Sequence, residues 1–291
     1  MWKSRLFDYA NNTFITVLSI VCTLPLLLVA MVSISDEKAI QVNGYSFIPE
    51  AFSLAAYRLL FFGDSPLLQS YFISTVVTLT GTAVAVAITA MAGYTLAAKH
   101  VKYRNVLAMF FFVTMVFSAG LVPWYMISTA LGLKNTIFAL IVPSLLFNPF
   151  NLFLVRNYMK QIPDSLIEAA KIDGAGDMYI AFRIFIPLSM PVLATITLFY
   201  GIAYWNNWSN AILLVDSEKL YPLQYLLFKL QSEISMIQQM QSIAGSVTPT
   251  LLPSESVKMA TAILTIGPIV LFYPFLQRYF IKGLLIGSIK E

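Results

Sequence analysis

Residues 168–191 read EAAKIDGAGDMYIAFRIFIPLSMP, a polar, glycine-broken stretch between two long apolar runs. Six ionisable side chains, Asp164, Glu168, Lys171, Asp173, Asp177 and Arg183, lie in it or just before it. Each would cost about 2.5–3.5 kcal/mol at the centre of a membrane-spanning helix, on the order of 15 kcal/mol together. Such a stretch cannot cross a bilayer, so it is an exposed loop. Ile162-Pro163-Asp164 predicts a helix start, with Asp164 near the positive end of the helix dipole. From Ser165 the sequence stays helix-compatible up to Gly174. Ala169, Ala170 and Gly174 form a small face that another surface can approach, and Glu168 and Lys171 reach outward. Gly174-Ala175-Gly176 then breaks the helix before the next apolar run.

The apolar runs on either side belong to a chain of 291 residues with 58% hydrophobic and 11% charged residues and a mean hydropathy of +0.77. A soluble domain carries about a quarter of its residues as charges, so this is an integral membrane protein and its runs of about 20 apolar residues are counted as spans. The single Cys22 excludes an intrachain disulfide and a cysteine metal cluster, and the single His100 excludes a histidine cluster. His100 sits in the basic loop Lys99-His100-Val101-Lys102-Tyr103-Arg104.

Six spans are expected, at about 13–34, 70–98, 106–129, 136–158, 182–205 and 257–281, in one transmembrane domain covering 1–291. The first is too long for a signal-peptide core and lacks a convincing cleavage site. Span two is rich in small residues, Gly81, Ala85 and Gly93 among them, which suits a helix buried inside the bundle. Span three ends at Pro123-Trp124-Tyr125, an interface-anchor composition. Spans four and five carry Pro143 and Pro149, and Pro187 and Pro191. In the loop Asp36–Gln69, Leu54, Tyr57, Leu60 and Phe61 recur at helical spacing. In the loop after span five, Leu223, Leu226, Leu227, Leu230, Ile234 and Ile237 form one apolar stripe, the pattern of an interfacial helix. Lys3, Arg5, Lys99, Lys102, Arg104, Arg156, Lys160, Lys171, Arg183, Arg278, Lys282 and Lys290 fall on one side, twelve of the 18 basic residues. That side is cytoplasmic, and it holds both termini and the polar stretch.

Glu168-Ala169-Ala170, then Gly174, then Ile184 and Ile186-Pro187 resemble the EAA loop of permease subunits of ATP-binding-cassette importers. In that family the pattern is Glu-Ala-Ala, a Gly four residues after the second Ala, and a later Ile-x-Leu-Pro. Ile186 for Leu is the one departure, and it keeps an apolar side chain. The likeness extends along the chain to a Trp-Asn pair after span five and the terminus Gly283-Leu284-Leu285-Ile286-Gly287-Ser288-Ile289-Lys290. It is similar to the maltose-type smaller permease of carbohydrate importers, and to permeases for complex oligosaccharides.

The resemblance implies an all-α, type I importer fold in a bacterial inner membrane and a coupling loop at 163–180 that docks on a separate ATPase. Glu168, Ala169, Ala170, Asp173 and Gly174 would make that contact. Gly287, Ser288 and Lys290 would add a tail contact to the ATPase. The implied partners are a second homologous permease, two ATPase subunits and an extracytoplasmic sugar-binding protein. The last would be met by Gln241, Ser242, Gly245, Ser246 and Thr248. Trp205, Asn206, Asn207 and Trp208 could line a sugar path, since indole faces stack on sugar rings and amides bond hydroxyls, although interface anchoring explains Trp there too. The chain itself would be non-catalytic and bind no cofactor, ATP and Mg belonging to the ATPase subunits. The rival classes are an ion-driven secondary transporter, which would carry ionisable relays inside its spans, and an intramembrane enzyme. The spans hold almost no ionisable residues and no Ser/His, paired-Asp or His-cluster arrangement.

Overall fold

The computed structural model describes residues 2–61, 66–143, 145–244, 255–268 and 270, and among them the regular structure is helical. They divide into two units, the described parts of 1–68 with 227–268 and those of 69–226 with 269–291.

The first unit opens with α1 (Trp2–Ser33), of which Tyr9–Ser33 is long and apolar enough to cross a membrane. Phe14, Val17, Leu18 and Val21 are exposed along it, the surface expected of a helix that faces lipid or another chain. Asp36 caps α2 (Glu37–Asn43) by accepting from the Lys38 amide, satisfying a donor that a helix start leaves free. After Gly44 the chain returns so that Ser35 bridges Phe52, and α3 (Ala55–Phe61) packs inward through Ala56 and Leu60. The Glu37 carboxylate is buried. It accepts from the Glu255 amide at 3.0 Å and from the amide and hydroxyl of Ser256 at 3.0 and 2.8 Å, so it caps the helix over 255–268 from outside that helix's own sequence.

In the second unit α4 (Leu67–Ala97) is the second helix long and apolar enough to span. Only one of its faces is covered within this chain: Val77, Ala85, Thr89 and Ala90 are buried, whereas Phe72, Leu79, Val84 and Ile88 are exposed. Its small residues allow close packing. A Cβ on Gly81 would meet Tyr204 Cζ at 2.5 Å, and one on Gly93 would meet Val155 Cγ1 at 2.6 Å.

The third expected span is not one continuous helix. It divides into α5 (Arg104–Val116) and α6 (Leu121–Ala130), bent by 115°. Gly120 turns the chain at φ 82°, a region that Cβ disfavours, and Pro123 in the first turn of α6 has no amide to continue a helix from before the turn.

The fourth expected span is broken too, into α7 (Phe138–Ile141) and α8 (Pro149–Met159). Pro143 and Pro149 interrupt the ladder, and side chains from later helices replace it. Tyr204 Oη donates to Ile141 O at 2.9 Å and Asn210 Nδ2 to Pro143 O at 3.0 Å. The Asn148 amide donates to Tyr200 Oη at 3.0 Å, and that hydroxyl pairs with Thr89 Oγ1 at 2.8 Å. Irregular backbone at membrane depth is tolerated where protein groups satisfy it in this way. Asn148 Oδ1 in turn caps α8.

Beyond α9 (Asp164–Ile172) come α10 (Asp177–Ile180), a π-helical turn Ala181–Phe185, α11 (Ile186–Leu188) and α12 (Met190–Trp205). Thus the fifth expected span is also bent, by 78° between Leu188 and Met190. After α13 (Ser209–Leu214), the apolar stripe of the next loop forms α14 (Leu223–Ala244). Leu223, Leu226 and Leu227 are buried, while Met236, Ile237 and Met240 near its end are exposed.

Candidate functional site

The polar stretch folds as its residues dictate. Pro163 precedes the first turn of α9 with extended backbone, and Asp164 stands in that turn. At the other end the Gly174 amide donates to Lys171 O at 3.0 Å and the Ala175 amide to Ala170 O at 2.9 Å, the paired bonds of a Schellman cap. Gly174 has φ 81°, and a Cβ there would meet nothing within 4 Å. Within this chain, then, the glycine is required by its dihedral and not by a close neighbour.

No residue of α9 is buried. Ile167 and Ala170 are partly covered and lean on the core, joined by Ile162 and Ala175 from its flanks. Leu166, Ala169, Ile172 and Asp173 are exposed, Ile172 at 86% of its surface. So the two alanines divide: Ala170 turns to the core and Ala169 to solvent.

The basic loop after α4 holds α9 from both ends. Lys99 pairs with Asp164 at the helix start. His100 Nε2 lies 3.6 Å from Asp177 Oδ2 just beyond the glycines, and Tyr94 Oη donates to Asp177 O at 3.3 Å. Tyr94 also packs edge-on against Phe185, with ring centroids 4.9 Å apart. Reading the sequence as a basic loop missed this buttressing. The signal available was the basic Lys99 in one loop and the acidic Asp164 and Asp177 flanking the helix in the other.

Between this loop and α9 lies a cavity of about 430 Å³. Asp164, Ile167, Glu168 and Lys171, spaced as one helical face, form its α9 wall, and Lys99 and His100 from the loop after α4, Arg104 at the start of α5 and Lys160 just after α8 line it opposite. Glu168 and Lys171, expected to reach outward, are exposed along this cavity. Partial desolvation, then the neighbouring Arg156 and Arg104 guanidinium groups, hold the Lys160 ammonium pKa below the usual lysine value.

The residues at the end of α12 and just beyond it are largely occupied. Trp205 is buried and its ring centroid lies 6.3 Å from that of Tyr71. Asn206 Oδ1 accepts from Gln224 Nε2 at 3.2 Å. Asn207 Oδ1 accepts from the Asn210 amide in the first turn of α13 at 3.3 Å, while its Nδ2 is buried with no hydrogen-bond partner among the described residues. Trp208 is exposed. Gln241 and Ser242 lie on the last turn of α14. Gly245, Ser246, Thr248, Gly287, Ser288 and Lys290 lie outside the described residues.

Residues 89–286 match the family model described as the binding-protein-dependent transport system inner membrane component. The chain is 38% identical to the polygalacturonan/rhamnogalacturonan transport system permease protein YtcP of Bacillus subtilis, over 99% of each chain. It is 36% identical to protein LplC of the same organism, over 98% of this chain and 95% of that one. Among solved structures it resembles a chain of a bacterial ABC transporter involved in the import of the acidic polysaccharide alginate. The two share 29% identity, with a TM-score of 0.81 over 95% of this chain and 97% of that one.

Proposed function

The chain belongs to the family of binding-protein-dependent transport system inner membrane components, and on that premise we propose that it forms half of the translocation pathway of an ATP-driven importer for an acidic oligosaccharide. The observation that carries the substrate class is the agreement of two likenesses. The 38% identical relative is named for polygalacturonan and rhamnogalacturonan, and the 29% identical structure belongs to an importer of the acidic polysaccharide alginate.

On this reading six spans, three of them broken or bent, carry both termini on the cytoplasmic side. A second homologous permease completes the pathway, two ATPase subunits supply hydrolysis with ATP and Mg, and a binding protein delivers sugar. The chain itself catalyses nothing. Helix α9 is the coupling element, with Leu166, Ala169, Ile172 and Asp173 as the face that meets the ATPase. Support comes from its exposure together with its double anchoring by Lys99 and His100. A nucleotide state shifts the transporter only by its differential affinity for the two conformations, so a lever must be held rigidly at both ends. Asn207 Nδ2, buried with no hydrogen-bond partner among the described residues, keeps the sugar-path role, because Trp205 and Asn206 have partners inside the chain.

The test is uptake by the assembled transporter reconstituted in liposomes with its binding protein. ATP should drive accumulation of oligogalacturonate in preference to a neutral maltooligosaccharide. Uptake driven by an ion gradient without ATP would favour a secondary transporter instead, and preference for the neutral sugar would overturn the acidic class.

A further inference from the structure

The cavity between α4, α5, α8 and α9 is walled by more positive charge than the chain neutralises. Of its cations, Lys99 is paired with Asp164, and the His100 imidazole lies 3.6 Å from Asp177 Oδ2. Among the described residues Arg104, Lys160 and Lys171 have no carboxylate within 4.0 Å, and the one carboxylate left to face them is Glu168. Arg156, one turn before Lys160 on α8, adds a fourth cation. Its guanidinium lies 5.7 Å from the Phe153 ring, and its Nε is buried without a hydrogen-bond partner. Crowded cations of this kind raise one another's energy, and the Lys160 pKa, held down first by burial and then by Arg156 and Arg104, carries part of that repulsion. An anion entering the cavity would relieve it and supply acceptors for guanidinium and ammonium donors.

The surroundings indicate which anion. The cavity is lined where α4 ends, α5 begins and α8 gives way to the loop before α9. Directly beyond Arg104, Val106, Met109, Phe110 and Phe112 of α5 are exposed, an apolar surface on which an acyl chain can lie while its headgroup reaches the cavity. We infer that this cavity binds the phosphate group of an anionic phospholipid, with Arg104, Lys160 and Lys171 as its ligands. Basic pockets beside membrane helices recognise such headgroups by this chemistry. A bound lipid would brace the wall against which the Asp164–Lys171 face of α9 lies. The inference rests on membership of an inner-membrane family and needs neither the sugar assignment nor the coupling role of α9.

The full-length chain, purified with the subunits that accompany it, can be placed in nanodiscs of mixed phosphatidylcholine and phosphatidylglycerol. Native mass spectrometry then measures the phosphatidylglycerol it retains. R104Q and K160Q, on different helices, should each lower retention about tenfold, the loss of one charge-assisted hydrogen bond. K102Q should leave it unchanged, because Lys102 stacks on Tyr103 and does not line the cavity. An equal fall in all three variants would mean diffuse attraction to a charged membrane and would overturn the site. In pure phosphatidylcholine discs, inorganic phosphate is the second probe. Thermal protection by phosphate, lost in R104Q and K160Q and unaccompanied by specific phosphatidylglycerol retention, would reassign the cavity to a soluble phosphate and overturn the lipid. Absence of any variant-dependent effect with either probe would remove the anion site altogether.

Discussion

The break between α7 and α8 and the α9 segment are both polar interruptions of an apolar chain, yet they direct their polar groups in opposite ways. At the break, the carbonyls of Ile141 and Pro143 and the amide of Asn148 are each met by a side chain from α12 or α13. At α9 the C-terminal end is closed by its own backbone, and Leu166, Ala169, Ile172 and Asp173 on the outer face stay exposed. An interruption satisfied internally is scaffold. On the proposed reading, one that is braced from behind and exposed in front meets a partner outside the chain. The Trp205–Trp208 segment falls on the scaffold side of this division for most of its polar atoms.

The largest effects should come from breaking the scaffold. Asn210→Ala removes the donor to Pro143 O in a buried site, and Tyr204→Phe does the same at Ile141 O. Each should cost about 1–3 kcal/mol, the penalty of an orphaned buried acceptor. Gly81→Ala should act through the same hydroxyl, because the new methyl would meet the Tyr204 ring at 2.5 Å and displace it. Overpacking of this kind costs about 1–3 kcal/mol. The measurement is thermal unfolding of the purified protein in detergent. Unchanged unfolding in all three variants would show that the break does not depend on these side chains, and the contrast with α9 would lose its basis.

A smaller and more local effect is expected at Gly174. Its φ of 81° costs a residue with Cβ roughly 1–2 kcal/mol, whereas Asn enters that region more readily than other residues. Since space is open around the position, Gly174→Asn should keep binding-protein stimulation of ATP hydrolysis in the assembled transporter while Gly174→Val reduces it. Loss in both variants would instead mean that a partner packs against the bare glycine.

The sequence carries the local signals of α9. Pro163-Asp164 marks its start and Gly174 its end, because caps depend on neighbours in the chain. It does not carry the direction in which Glu168 faces, which depends on where Arg104 and Lys160 arrive from other helices. The same holds for the broken spans. Pro143 and Pro149 announce trouble for a continuous helix, but α7 and α8 separate only because Tyr200, Tyr204 and Asn210 replace the lost ladder. These residues lie more than fifty positions away. Gly120 and Pro123 are residue types that suit a turn, yet the apolar composition around them reads equally as one span or as two bent helices. Trp205-Asn206-Asn207-Trp208 is the plainest case. Its residue types suit a sugar path or a set of caps and packing contacts, and their distinction lies in Tyr71, Gln224 and Asn210.

The smallest effect separates the two regions by their response to salt. Lys99 and Asp164 are both well exposed, and an exposed ion pair contributes about 0.2–1 kcal/mol. Lys99→Gln should therefore raise amide hydrogen exchange only modestly, and only in the first turn of α9, around Ser165 and Leu166. The difference should vanish near 1 M salt, where the Debye length falls to about 3 Å. Asn210→Ala removes a neutral, buried bond, so its effect should be the same at low and high salt. If the Lys99 variant stayed salt-insensitive, its pair with Asp164 would not be what anchors the start of α9. If the Asn210 variant responded to salt, charge would be acting at the break, and the division between an internally satisfied scaffold and a braced outer helix would have to be redrawn.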